Sequence, residues 1–385
     1  MTESEKRRPQ SKATFPSHKV VLVLQGGGAL GAYHIGAYEA LKDAGFEPDW
    51  VTGISIGAIN AAVIAANPPQ QRLAKLEALW ESISRPDGWG MMLQGVDLRM
   101  FNQFNVAEAM VLGQPNFWYP RVPSPVLAKD LPATEASFYD TRPMLATLHE
   151  HADFALLNRG EGARLSLGAT RVDTGELEFF DSNHQTIDPR HVLASGSLPP
   201  GFPATEIDGI CYWDGGCVSN TPLNAVLDDL ATDDLLVFMV DLWSASGPLP
   251  RTMDEVAWRQ KQIQYASRNA QVETLCQNHN IRQVLQQNKA GLPAETLAVA
   301  RAGMLEVPQR HIDIVHITYT PSDTESSFSD AEFSRPSIQR RRDAGKADMQ
   351  QALAASPWLQ THIGAAPMAR LHRMQAGCMN SSLCM

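Results

Sequence analysis

Polar residues dominate the first eighteen positions, so residues 1–18 read as a disordered leader. The first apolar block is Lys19–Leu24 (KVVLVL), short and rich in β-branched residues, the pattern of a buried strand. A glycine turn follows at residues 25–33 (QGGGALGAY). The apolar period then changes: Ile35, Tyr38 and Leu41 recur at helical spacing, and Gly45 stops that helix. DWVTGIS reads as a second strand. IGAINAAVIAAN, apolar on nearly every face, reads as a buried helix ended by Pro68 and Pro69. Strand, helix, strand, helix predicts an α/β fold: a mainly parallel sheet with helices on both faces.

Residues 71–83 carry one more helical pattern. Residues 86–135 do not. They hold Trp89, Met91, Met92, Met100, Phe101, Phe104, Phe117, Trp118 and Tyr119 among prolines and glycines, with no clean period. A long irregular insertion of this kind is expected to be a lid or the wall of an apolar pocket. Trp89, Phe117 and Trp118 are then the side chains expected to make an interfacial contact. Two hairpins follow, one turning at Asp173, Thr174 and Gly175, the other at Asp208 and Gly209. DLLVFMVDLW reads as a further strand of the main sheet. Residues 252–305 are rich in Gln, Asn, Arg and Ala at helical spacing, HIDIVHITYT alternates like a strand, and a helix runs to about Ala355. The expected organisation is a leader (1–18), a catalytic domain (19–243), a helical extension packed on it (244–355) and a weakly ordered tail (356–385).

The chain has 385 residues, 44% of them apolar, enough for a full core. A formal net charge of −10 argues against a nucleic-acid partner and against general attraction to an anionic membrane. Five cysteines occur without a C-x-x-C, so reduced thiols are expected rather than a zinc site or a disulfide framework. No secretory signal is visible, and AINAAVIAA is too short to span a bilayer. These features predict a cytoplasmic protein, with at most peripheral contact to a membrane.

Gly26, Gly28 and Gly31 satisfy G-x-G-x-x-G, which by itself is a weak signal. A dinucleotide site also needs an acidic residue at the end of the second strand. That strand ends instead in Gly53, Ile54, Ser55, Ile56 and Gly57, which is G-x-S-x-G. This pattern makes a sharp strand-to-helix turn that presents the serine hydroxyl above the sheet. Side chains at Gly53 and Gly57 would collide across it. Ser55 then stands at a helix N-terminus, where negative charge is favoured. Both turns leave the carboxyl ends of parallel strands, so the amides of Gly26, Gly27 and Gly28, with that of Ile56, can face Ser55 as an oxyanion hole. Asp214, followed by Gly215 and Gly216, offers a carboxylate to act on the serine. His34, His191, His279 and His316 could each complete a triad on paper. They read as packed or surface residues, and Ser195, Ser197, Cys211 and Cys217 read as structural.

Residues 26–31, 53–57 and 214–216, in that order, resemble the patatin-like phospholipases, and ASGSLPPGFP is similar to that family's segment before the aspartate loop. The likeness covers about residues 20–242. The region after 250, including EFSRPSIQRRRDAG, resembles an extension carried by some bacterial members. The resemblance implies a modified α/β-hydrolase fold and a Ser55–Asp214 dyad that cleaves acyl esters of lipids. It implies no catalytic histidine, no metal and no cofactor. One departure stands out: the family often has Arg or Lys inside the glycine turn, where this chain has Ala29 and Leu30. A thioesterase or general carboxylesterase with the same dyad, and a catalytically idle lipid-binding protein, remain open at this point.

Overall fold

The computed structural model describes residues 18–85, 98–267, 269–288, 291, 293, 308–321, 325–360, 367–375 and 378–383. The leader up to residue 17 and Trp89, Met91 and Met92 lie outside the described residues. In chain order the strands are β1 (Lys19–Leu24), β2 (Trp50–Gly53), β3 (Tyr119–Pro120), β4 (Tyr139–Asp140), β5 (Arg164–Arg171), β6 (Leu177–Asp181), β7 (Thr205–Ile207), β8 (Ile210–Asp214), β9 (Leu235–Asp241), β10 (Ile312–Thr318), β11 (Ala369–Gln375) and β12 (Cys378–Leu383). Among the described residues ten of them form one sheet, ordered β12-β11-β10-β9-β1-β2-β5-β8-β7, with β6 also paired to β5. β3 and β4 make a separate ribbon. The centre, from β11 to β5, is parallel. The hairpins predicted at residues 173–175 and 208–209 add antiparallel strands on one side.

Alternation along β1 divides the core. Leu22 and Leu24 point into one apolar cluster, Val21 and Val23 into a second. A strand that buries both faces must be apolar throughout, which is why KVVLVL shows no polar alternation. The first cluster is closed by α1 (Ala32–Asp43), α2 (Ile56–Ala65) and α3 (Arg72–Ser82). α4 (Leu98–Leu112), α5 (Pro143–His151), α6 (Phe154–Asn158) and α7 (Pro189–Ser195) follow. The second cluster is closed by α8 (Leu223–Leu227) and, after α9 (Met253–Tyr265), by α10 (Asn269–Gln287). All ten residues of α2 are buried. Its one polar side chain, Asn60, donates to the Gly31 carbonyl at 3.1 Å and accepts from Trp80 Nε1 at 2.8 Å, so burial leaves it satisfied.

The C-terminal region departs from its expected form in two ways. It is not only helical cover, because β10 joins the sheet directly beside β9. The segment expected to be a weakly ordered tail supplies β11 and β12, which complete that edge. Their sequences, ARLHRMQ and CMNSSL, lack the apolar alternation of a half-buried strand, so only pairing with β10 reveals them. α11 (Arg335–Ala355) lies so close to α1 that a Cβ on Gly36 would stand 1.8 Å from the Arg342 carbonyl, and one on Gly345 2.0 Å from that of Tyr33. Only glycine permits that approach.

The insertion holds a helix where no period was legible. In α4 the buried positions Asn102, Asn105, Val106 and Ala109 keep helical spacing, but two are asparagine. Phe104, Met110, Val111 and Leu112 face outward. An inverted amphipathic pattern gives no normal signal. Among the described residues no helix is long and apolar enough to cross a membrane.

Candidate active site

β2 ends at Gly53 and α2 begins at Ile56, so Ile54 and Ser55 alone make the turn. A Cβ on Gly53 would lie 2.2 Å from the Gly57 carbonyl, and one on Gly57 2.3 Å from that of Leu24. The turn therefore requires both glycines, as the sequence pattern predicts. Ser55 adopts φ 57° and ψ −126°. A left-handed φ costs an L residue roughly 1–3 kcal/mol and persists only where neighbours hold it. Here the Ser55 amide donates to the Ser195 carbonyl at 3.0 Å and to Ser195 Oγ at 3.1 Å, while Ser195 Oγ donates to the Gly168 carbonyl at 2.6 Å. The Ser55 hydroxyl makes no cap bond to α2 and faces the Asp214 carboxylate, whose pKa it pulls down.

Asp214 is the last residue of β8 and is only 2% exposed. Its amide donates to the Ser197 carbonyl at 2.9 Å, and its own carbonyl accepts from Thr170 Oγ1 at 2.9 Å. The carboxylate accepts from the Gly216 amide at 2.7 Å. Burial pushes the carboxyl up from the usual carboxylate range to about 7, against the opposing pull of the Ser55 and Gly216 hydrogen bonds. Gly215 packs against the Gly168 carbonyl, and Gly31 against the Ile56 side chain.

The glycine turn is fixed from below. Gln25 is fully buried; its Oε1 accepts from the amides of Leu242 (2.7 Å) and Trp243 (3.0 Å), and its Nε2 donates to Thr221 Oγ1 at 2.9 Å. Trp243 Nε1 and Asn220 Nδ2 both donate to the Gly26 carbonyl, at 2.9 and 3.0 Å. Of the four amides expected to form an oxyanion hole, Gly26 is excluded: it donates to the Asn220 carbonyl at 3.3 Å. Among the described residues no acceptor engages the amides of Gly27, Gly28 or Ile56.

These groups border one cavity of about 810 Å³, which Gly26, Gly27, Gly28, Ser55, Ile56 and Asp214 all line. Its walls are aromatic. Phe117 and Trp118, expected at a lipid surface, are 7% and 6% exposed and instead pack with Phe202 and Phe333 around the cavity. The insertion thus supplies pocket wall.

None of the four histidines weighed from the sequence lines this cavity. His34 is buried beside Asn60 Nδ2, and burial pushes its imidazole down to about 3. His191 caps α7 with Asp188. His279 sits under the Leu227 carbonyl, and burial pushes it down to about 4. His316 pairs with Asp241 at 2.9 Å. Sequence reasoning set Ser195 and Ser197 aside, yet they tie the serine turn and the aspartate to one short helix end. Asn220, Gln25 and Trp243 had no motif to mark them. Their role comes from long-range contacts with the glycine turn.

Comparison with known proteins finds two family models that match this chain. A family model described as patatin-like phospholipase matches residues 22–227. A second, described as patatin phospholipase, matches residues 263–363. Neuropathy target esterase sws of Drosophila melanogaster is 50% identical over 46 residues, which is 12% of this chain and about 3% of that relative's length. Among solved structures, VipD from Legionella pneumophila shares 16% identity at a TM-score of 0.38, covering 88% of this chain and 67% of that one. Human GIVD cytosolic phospholipase A2 shares 10% identity at 0.41, covering 89% and 59%. With its family model spanning more than half of the residues, and the serine turn and the aspartate both inside that span, this chain belongs to the patatin-like phospholipase family.

Proposed function

We propose that the protein hydrolyses acyl esters of lipids through a Ser55–Asp214 dyad. The observation that carries this reading is that Ser55, on its strained turn, and the buried Asp214 carboxylate line the same apolar cavity, with Ser55 near enough to oppose the rise in the Asp214 pKa. Asp214 accepts the Ser55 proton as Oγ attacks the ester carbonyl. A carboxylate raised to about 7 is a far better base than one near ~3.9 in water. The amides of Gly27, Gly28 and Ile56 receive the oxyanion. Collapse of the tetrahedral intermediate breaks the ester C–O bond, and Asp214 returns the proton to the leaving alcohol. Water, giving its proton to Asp214, then attacks the acyl–Ser55 ester; the Ser55 C–O bond breaks, Asp214 returns the proton to Ser55 Oγ, and the acid leaves.

The cavity supports a long acyl chain as the substrate element, being large and aromatic-walled. Its rim supports contact with a lipid surface. Met110 and Phe138 line the mouth at 46% and 44% exposure, and Val111, Leu112, Val122 and Val126 stand open beside them. Given the net charge of −10, insertion of apolar side chains fits this contact better than electrostatic attraction.

The test is p-nitrophenyl ester hydrolysis across acyl lengths in EDTA, with a fluorophosphonate to trap the nucleophile. Rates that rise with chain length and a covalent adduct on Ser55 are expected. A preference for acetate, or for thioesters over oxygen esters, would move the reading to an esterase or thioesterase. No adduct and no turnover would leave a lipid-binding protein. Val111→Ser, Leu112→Ser and Val122→Ser together should lower the rate on zwitterionic vesicles but not on a soluble ester; equal rates on both would remove the rim from the account.

A further inference from the structure

The glycine turn has no charged side chain of its own, since Ala29 and Leu30 fill it. A charge nevertheless sits directly behind it. Arg341, from α11, is 1% exposed. Its guanidinium has five N–H donors, and all five are engaged. Nε and one Nη2 donor reach the Glu325 carboxylate, at 3.2 and 2.8 Å. The other Nη2 donor goes to the Ser329 carbonyl at 3.1 Å. Nη1 donates to the Glu332 carbonyl at 3.0 Å and to the Ala29 carbonyl at 3.2 Å. Ala29 directly follows the two free amides of the turn.

Four of these bonds hold the segment from Glu325 to Glu332, and the fifth fastens that segment to the turn. The fit is close. Gly28 has φ +55°, and a Cβ on it would lie 2.1 Å from the Asp330 carbonyl. The same segment brings Phe328 and Asp330 to the cavity. The donors of an oxyanion hole must be held to a fraction of an ångström to act on a transition state. The pinned Ala29 carbonyl lies in one peptide plane with the Leu30 amide, which donates to the Gly27 carbonyl at 3.2 Å, and that carbonyl lies in one plane with the Gly28 amide, so the buried guanidinium fixes the orientation of the donor.

We infer that Arg341 is a positioning residue for the oxyanion turn, acting through the Ala29 carbonyl, so that the C-terminal extension completes the active site. This role rests on the proposed hydrolysis at Ser55. It predicts a particular kinetic split. Loss of the clamp leaves the Phe117, Trp118 and Phe202 wall of the cavity and the Ser55–Asp214 pair in place but loosens the amides that bind the oxyanion.

The experiment uses full-length wild type, Arg341→Ala and Arg341→Lys. Active sites are counted by end-point fluorophosphonate labelling, and kcat is expressed per labelled site. Arg341→Ala should keep KM within about twofold and lose about 10- to 100-fold in kcat per site, below the full cost of an absent oxyanion donor. Affinity for a long-chain trifluoromethyl ketone, which forms a tetrahedral oxyanion, should fall in parallel. Affinity for the matching fatty alcohol should not. Methylguanidine should restore part of kcat. A purely structural role would lower the number of labelled sites and leave these per-site values alone, and that result overturns the inference. If Arg341→Ala does not fold, Arg341→Lys decides. It keeps the charge beside Glu325 but lacks the fork that spans four groups, so the same split is expected, and unchanged per-site values overturn the inference. An inert, unlabelled wild type would defeat the hydrolase reading itself, and this role with it.

Discussion

Among the described residues, two of the serine–aspartate arrays invite comparison. In one, Ser55 faces Asp214 across one end of the cavity, and none of the four histidines weighed from the sequence lines it. In the other, Ser381 Oγ lies 2.8 Å from His372 Nδ1, and His372 Nε2 lies 2.8 Å from Asp313 Oδ1. By residue type the second is the more familiar hydrolytic set, with serine, imidazole and carboxylate in line. Its surroundings differ at every step. Ser381 sits opposite His372 in the ladder between β12 and β11, with no helix beginning at it. It lies outside the cavity of Ser55. His372 is fully buried, and both ring nitrogens are occupied in joining β10, β11 and β12. Ser55 has a strained backbone, a helix N-terminus, three free amides and an apolar cavity. A hydrogen-bonded serine becomes a nucleophile when the site can also bind the charge that develops on its substrate. The histidine is the less important difference.

Substitution is the strongest way to break this contrast. Ser55→Ala should lower ester turnover by at least about 10³-fold, while Ser381→Ala should leave it within about twofold. The reverse pattern, read with p-nitrophenyl esters, would exchange the roles of the two arrays. Asp214→Asn comes next, with an expected loss of about 10²- to 10⁴-fold in kcat. The wild-type profile sharpens this: with the Asp214 carboxyl raised to about 7, activity should fall as pH drops through that value, because the protonated acid cannot accept the serine proton. A rate that stays level from pH 8 to pH 5 would exclude Asp214 as the base.

The smallest effect is on stability. The folded-state pKa of Asp214 lies above its unfolded value, so the fold binds that proton more tightly than the unfolded chain does. The associated stability is fully present below about pH 4 and is lost as pH rises through about 7. Asp214→Asn, which cannot ionise, should therefore be more stable than wild type at pH 8, by up to about 4 kcal/mol. That advantage should vanish at pH 4. Denaturant melts at the two pH values measure it, and equal differences at both would show that Asp214 bears no desolvation penalty.

Much of this site is legible in the chain because its parts are local. The tight turns around Gly53, Gly57 and Gly28 need glycine wherever the rest of the chain goes, and the apolar runs that become β1, β2 and α2 declare themselves by composition. The parts that stayed hidden are those whose meaning depends on a distant partner. Gln25 and Asn220 look like any polar residues until the glycine turn rests on them. α4 turns its asparagines inward, one of them to Glu332, so its period misleads. Phe117 and Trp118 show that they are apolar, but not whether water, lipid or a pocket meets them.

The sequence by itself determined the order of the turns, the parallel α/β frame and the placing of Ser55 in a glycine-flanked turn and Asp214 before a glycine pair, because backbone sterics and apolar periodicity act over a few residues. Only the tertiary structure decided that Gly26 is spent on Asn220, that the C-terminal residues are sheet, and that Arg341 stands behind the glycine turn. Those outcomes belong to contacts between positions as far as 312 residues apart. No local rule fixes such contacts until the chain has packed.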